Sequence, residues 1–271
     1  MSRRSGFSQA TGDYILFLDS DDTLRIDACD LIAKKIIIKQ PDIVQFGYRE
    51  IPRKKNVFSP FYPTSRERIL RYLAKDNRYS PEVWTKAYKY PVISGAYNIM
   101  DNFYANHCED VYASIVFSYF AKTYALIKKP LVNYSTVTGM SKRIECSVQT
   151  YTTWLLSYNT IIRKTRAFIS QYIPDLSKNC LDMEIYLLRD FLYNRLFSGV
   201  TFEMRYRLFE MLPSFFTKDA IYSLSDEFLF KSRKHDKYLD FNVSFLSKSK
   251  KILLLFFLYI KSFFRIIHVD I

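Results

Sequence analysis

The run of apolar and polar positions predicts an α/β front half and a helical back half. Tyr14 to Leu18 reads YILFL, an unbroken apolar stretch behind Gly12, and predicts a short buried strand. In IDACDLIAKKIIIK the apolar residues Ile26, Cys29, Ile32, Ala33 and Ile36 recur at helical spacing and predict a helix with those side chains inward. DIVQFGY, from Asp42, predicts a second strand, and strand, helix, strand is the signature of an α/β domain. Residues 51–64 are Pro-rich, basic and without period. SRERILRYLAK, from Ser65, predicts a short helix with a serine cap. EDVYASIVFSYFAK, from Glu109, predicts a helix with its acids at the favourable N-terminal end, and YALIKKPLVNYSTV, from Tyr124, an extended segment broken at Pro130.

The pattern changes near Cys146. Val148, Tyr151, Leu155, Tyr158, Ile162, Ile169 and Tyr172 follow helical spacing, and further helical patterns run over 178–197 and through MRYRLFEMLPSFF. The expected organisation is an α/β domain over residues 1–145, a helical extension over 146–246 and a separate tail over 247–271. In the tail an apolar run, Ile252 to Ile260, spans only ~14 Å as a helix against a hydrocarbon core of ~30 Å. Lys248, Lys250, Lys251, Lys261 and Arg265 border it, which is the pattern of a basic amphipathic helix lying in a membrane interface. A terminal helix docked on the protein's own core would show a similar stripe.

Charge and cysteines narrow the classes. The 271-residue chain carries a net charge of +13, which suits an anionic partner: a phosphorylated substrate, a membrane surface or nucleic acid. Its basic clusters are scattered and no nucleic-acid-binding motif accompanies them, so no nucleic-acid partner is expected. The four cysteines form no C-x-x-C pair, and His107-Cys108-Glu109-Asp110 has no second half with zinc-ligand spacing. Reduced thiols in a cytoplasmic protein are expected.

The chemistry centres on YILFLDSDDTL. Asp19, Asp21 and Asp22 follow the apolar run directly, and like charges this close raise one another's pKa. Ligands of open α/β sheets sit beyond the carboxyl ends of the strands, where these acids fall. Carboxylates without Cys or His suit a hard divalent cation, Mg²⁺ or Mn²⁺, bound together with substrate phosphates. A plain turn, with Asp22 or Thr23 capping the next helix, would also accommodate them.

The segment SRRSGFSQATGDYILFLDSDDTL resembles the family 2 glycosyltransferases, which have the GT-A fold. Arg3, Gly6, Ala10, Gly12, Tyr14, Ile15, Phe17, Leu18, Asp19, Ser20, Asp21 and Asp22 fall on that family's pattern, and Arg4 stands where the family has Asn. VWTKAYK from Val83, CEDVYASIVF and PLVNYSTVTGMS resemble later elements of the same domain, in the same order, so the likeness runs from residue 2 to about 142. The resemblance implies that Asp19 and Asp21 hold the nucleotide sugar through Mg²⁺ or Mn²⁺. Asp22 would lie near the sugar, Arg3, Trp84 and Lys86 at the donor or acceptor site, and Asp110, paired with Glu109, would act as general base. It implies a nucleotide-sugar donor and a glycan or lipid-linked acceptor of surface polysaccharide synthesis, at the inner face of the cytoplasmic membrane.

The family has further β-α units ahead of this segment, and they carry the nucleotide pocket. The expected fold is therefore a partial GT-A sheet-and-helix domain lacking its N-terminal nucleotide-binding units, with a helical C-terminal extension. Such a chain would bare the edge of the strand at 14–18 and, without the base and ribose pocket, would bind nucleotide sugar weakly or not at all and be inactive as truncated. Two alternatives stay open: a non-catalytic remnant binding a partner or membrane, and a phosphatase or phosphotransferase with a D-x-D-x-T motif, in which Asp19 is the nucleophile and Lys86 with Glu109-Asp110 serves it.

Overall fold

The computed structural model describes residues 2–59, 80–105, 107–137, 147–192 and 202–225. The helix expected from Ser65 and the amphipathic tail over 247–271 lie outside the described residues.

A short helix α1 (Ser2–Ser8) leads into β1 (Tyr14–Leu16) and β2 (Thr23–Leu24), then α2 (Ala28–Lys39), β3 (Ile43–Ile51) and β4 (Lys55–Val57). After a 3₁₀ turn at Val83–Thr85 come β5 (Lys86–Lys89), α3 (Tyr90–Ile99), α4 (Glu109–Phe120) and β6 (Tyr124–Ser135). The described strands form one mixed sheet in the order β1-β5-β3-β6-β2, with β4 also on β3. β6 runs parallel to β3 along its length, while the other edge of β3 is shared, by β5 at Ile43–Gln45 and by β4 at Tyr48–Glu50, both antiparallel. β1 ends the sheet and pairs only with β5 among the described residues, Ile15 opposite Tyr88.

Alternation along the strands sends side chains to two cores. Val44, Phe46, Ala87, Ile127, Leu131 and Val132 face one side, where α2 covers them with Ala28 and Ile32. On the other side Phe17 and Tyr88 pack on Phe117 of α4, with ring centroids 6.1 and 5.1 Å away. Helices α3 and α4 meet closely at Gly95, where a Cβ would lie 2.7 Å from the Phe120 ring.

Three local expectations are corrected. The first strand ends at Leu16 rather than Leu18. Helix α2 starts at Ala28, so Ile26 lies outside it and is fully exposed; the buried residues are Ala28 and Ile32, while Cys29 and Ala33 face solvent. β6 is not broken at Pro130: the register against β3 shifts between Phe46 and Gly47, and Pro130, which cannot donate to the ladder, falls opposite Gly47 at that irregularity. The elements between residues 83 and 99 carried no clear period and come from tertiary pairing.

The helical part begins at α5 (Val148–Tyr172), whose N-cap Ser147 accepts the Thr150 amide. Tyr151, Leu155, Tyr158, Ile161, Ile162, Thr165, Phe168 and Ile169 form its buried stripe, at the spacing of an amphipathic helix. A 3₁₀ segment, Pro174–Asn179, turns the chain into α6 (Cys180–Phe191), which packs back on α5, and α7 (Phe202–Met211) follows. The chain separates into two compact units, Met1–Phe215 and Phe216–Ile271. In the second, residues 218–225 are helical, with Ala220, Ile221 and Leu224 buried. No helix among the described residues is long and apolar enough to cross a membrane.

Candidate active site

One guanidinium organises the carboxylates. Arg3, on α1, donates from Nη2 to Asp19 Oδ1 at 3.0 Å, just beyond β1, and from Nη1 to Glu109 Oε1 at 3.2 Å and Asp110 Oδ1 at 2.6 Å, at the start of α4. Asp19 and the Glu109-Asp110 pair, some 90 residues apart in sequence, therefore face one another across a single side chain. Burial works against the charge of Arg3, but Asp110, Asp19 and Glu109 more than offset it and its pKa rises. The neighbouring Arg4 takes a different part. Its Nη1 donates to Met100 O and Asn102 Oδ1, both at 3.0 Å, and its Nη2 to Tyr97 O at 2.5 Å. An arginine on the last carbonyls of α3 satisfies acceptors that a helix leaves open and moors α1 in the direction that aims Arg3 at the acids.

Asp110 is the most perturbed of the acids. Its side chain is 17% exposed, and burial pushes its pKa up to about 7 against the opposing pull of Arg3. The amide of Val83 donates to its other oxygen, Oδ2, at 3.3 Å. That donor is a backbone group in a 3₁₀ turn, and no sequence signal pointed to it. Glu109 and Asp19 are each 39% exposed.

The other residues take these places. Asp21 is exposed in the turn after β1, where Asp22 N donates to Asp19 O at 3.1 Å. Asp22 is 7% exposed, and its Oδ1 accepts the Ser135 amide at 2.8 Å, tying the acidic turn to the end of β6. Burial raises its pKa. Neither Asp22 nor Thr23 caps α2, whose N-cap is Asp27. Trp84 is a core residue, stacked on Tyr134 at 5.2 Å with Tyr48 edge-on at 4.9 Å. Lys86 is wholly buried, and its Nζ donates to Ser80 O at 2.6 Å, Glu82 O at 2.8 Å and Thr85 Oγ1 at 3.3 Å. It thereby shapes the turn that carries Val83, and burial lowers its pKa to about 8. Trp84 and Lys86 thus lie beneath the carboxylates, not open to solvent.

Among the described residues no three His, Cys, Asp or Glu side chains converge on one point that could hold a cation. Asp19 and Asp21 offer oxygen donors of the kind that suits Mg²⁺ or Mn²⁺. An open cavity of about 430 Å³, lined by Thr11, Asp13, Lys89 and Tyr90 among others, lies at the opposite end of β1 from Asp19.

Residues 2–106 match the model of Glycosyl transferase family 2, and the fold is GT-A-like. Among solved structures the chain is similar to Staphylococcus aureus TarS 1–349 in complex with UDP-GlcNAc, with TM-score 0.56 and 18% identity over 80% of this chain and 60% of that one. The same protein in complex with UDP gives TM-score 0.53 and 17% identity over 81% and 58%. At this identity the likeness is one of fold, and the chain spans about 60% of the length of these TarS structures. No curated protein matches the sequence.

Proposed function

We propose that the protein transfers a sugar from a nucleotide-sugar donor, of the UDP-GlcNAc kind, to an acceptor hydroxyl, with inversion at the anomeric carbon. One observation carries the reading: Arg3 draws Asp19, from the donor-side acidic turn, and Asp110, at the start of α4, to one point. Asp110 takes the proton of the acceptor hydroxyl as its oxygen attacks the anomeric carbon and the bond from that carbon to the diphosphate breaks. A carboxyl with a pKa near 7 suits a base working at neutral pH, and Glu109 beside it keeps the acceptor side acidic. Mg²⁺ or Mn²⁺ held by Asp21 with Asp19 would supply positive charge to the departing diphosphate. Arg3 is the protein's own cation at this place and would turn toward the phosphates when they enter. Asp22, Trp84 and Lys86 hold the walls of the site rather than the sugar.

Lys86, which the phosphatase alternative needs beside Asp19, donates to Ser80 O and Glu82 O instead, and this favours the transferase. The acceptor we infer is a glycan or lipid-linked precursor of a surface polysaccharide. The basic, apolar tail over 247–271 supports a position on the inner face of the cytoplasmic membrane.

The test is release of UDP from UDP-GlcNAc by the full chain with Mn²⁺, with water as acceptor. The wild-type rate is expected to rise with pH through about 7, as Asp110 ionises, and Asp110→Asn to lower it by about 10²–10⁴-fold. UDP release by Asp110→Asn at the wild-type rate would overturn the assignment.

A further inference from the structure

The turn that delivers Glu109 and Asp110 is unusual. Cys108, immediately before α4, has φ 59° and ψ 12°, the left-handed region that glycine or asparagine ordinarily fills. A cysteine there costs backbone energy and needs outside contacts to hold it. Its own side chain makes no capping bond to α4. The contacts come from the helical extension. Cys108 Sγ donates to Asp190 Oδ2, on α6, at 3.8 Å, and the same oxygen accepts the Tyr158 hydroxyl, from α5, at 2.5 Å. One residue earlier, the buried ring of His107 stands edge-on to Trp154 of α5, 4.8 Å between centroids. Charge at the second turn, the one that holds Asp110, is also felt on α6. The phenol of Tyr186 is pushed well above its ordinary pKa, chiefly by burial and then by Asp190, Glu82 and Cys108, and Glu82 adjoins the Val83 whose amide binds Asp110.

We infer that Asp190 is a positioning residue for the candidate base: through Cys108 and Tyr158 it locks the left-handed turn from which Asp110 projects. The helical extension is then part of the active site although it touches no substrate. The inference rests on the reading of Asp110 as the base, and it assigns a purpose to a cysteine where glycine would be cheaper: its thiol is the donor through which α6 grips the turn. The sequence separation between Cys108 and Asp190 hides this link from any local motif.

The test reads the turn directly, without turnover. In the full chain, amide hydrogen exchange is followed at Val83, which donates to Asp110 Oδ2, and at Val111, which donates to Cys108 O at 3.0 Å. Iodoacetamide labelling of the Cys108 peptide is followed by mass spectrometry. Asp190→Ala is expected to speed both exchange and labelling about tenfold, as loss of a charge-assisted hydrogen bond allows, while the interior of α4 stays protected. Asp190→Asn, which keeps an acceptor oxygen and the side chain's shape, should rescue most of the effect; if the alanine variant does not fold, Cys108→Ala, which removes the thiol donor, takes its place and should speed exchange in the same way. The control is Glu184→Gln, on the same helix as Asp190, which breaks the ion pair with Arg166 of α5 and leaves the turn untouched. Wild-type exchange at Val83 and Val111 in Asp190→Ala, or in Cys108→Ala where that variant does not fold, or an equal rise in Glu184→Gln, would overturn the inference. In the UDP-release assay Asp190→Ala should lower kcat about 100-fold with KM unchanged, the expected cost of a misplaced base. If Asp110→Asn keeps full activity, the base assignment fails, while the exchange data still decide whether Asp190 holds the turn.

Discussion

Replacing Arg3 with methionine keeps the aliphatic stem and removes the cation that Asp19, Glu109 and Asp110 share. The bonds to Asp19 and Glu109 are partly exposed, at 39% each, so each contributes roughly 0–1 kcal/mol after solvent screening. The bond to Asp110, a carboxyl 17% exposed, contributes about 2 kcal/mol. The sum is about 3 kcal/mol when all three acids are ionised. It depends on pH with a definite sign. Burial raises Asp110 in the folded state from 3.8 to about 7, so its contribution to stability is fully present below its unfolded pKa and is lost as pH rises through 7. Without Arg3 the folded pKa moves higher still, and the loss continues above pH 7, where the wild type has levelled off. At pH 5 Asp110 is protonated in both proteins, and the variant forfeits only the exposed pairs, about 1 kcal/mol. With a urea slope of about 2–3 kcal/mol/M, the unfolding midpoint should fall by about 1 M at pH 8 and by under half that at pH 5. Urea titrations followed by tryptophan fluorescence measure this. Equal midpoint shifts at the two pH values, or none at either, would refute the placement of Asp110 against Arg3.

Asp22→Ala removes the acceptor of the Ser135 amide and should lower stability by about 1–2 kcal/mol, whereas Asp22→Asn, which keeps an acceptor and drops a charge that burial disfavours, should cost less; thermal melts at pH 8 compare them. Gly47→Ala places a Cβ 2.5 Å from the Phe58 ring and 2.6 Å from Val57 O; the ring can swing aside but the β4 backbone cannot, so a loss of about 1–3 kcal/mol is expected in the same melts.

The helical reading of Ile26 and the strand break at Pro130 failed for one reason. Period-counting assumes that an element begins where its apolar residues begin and stops where a backbone donor is missing. Ile26 precedes the first helical residue, and the sheet takes in Pro130 where the register slips against Gly47. The 25-residue α5, by contrast, was legible because its stripe repeats over many turns and a single misread position cannot rotate it. Arg4 was readable only as a departure from the family pattern; its purpose, closing the end of α3, needed coordinates.

By itself the sequence determined the α/β front and helical back, the acids clustered behind an apolar run, the resemblance to family 2 glycosyltransferases and the pairing of Glu109 with Asp110. These are local properties: side-chain period, charge spacing and motif order lie along the chain. Tertiary structure alone decided that Asp19 and Asp110 meet at Arg3, that Asp110 is the acid whose pKa rises furthest, that Lys86 and Trp84 turn inward, and that Asp190 reaches the turn at Cys108. Each of these depends on which groups separated by tens of residues come within hydrogen-bond distance and on how much water is excluded when they do. Contact and desolvation belong to the packed chain, and no window of sequence contains them.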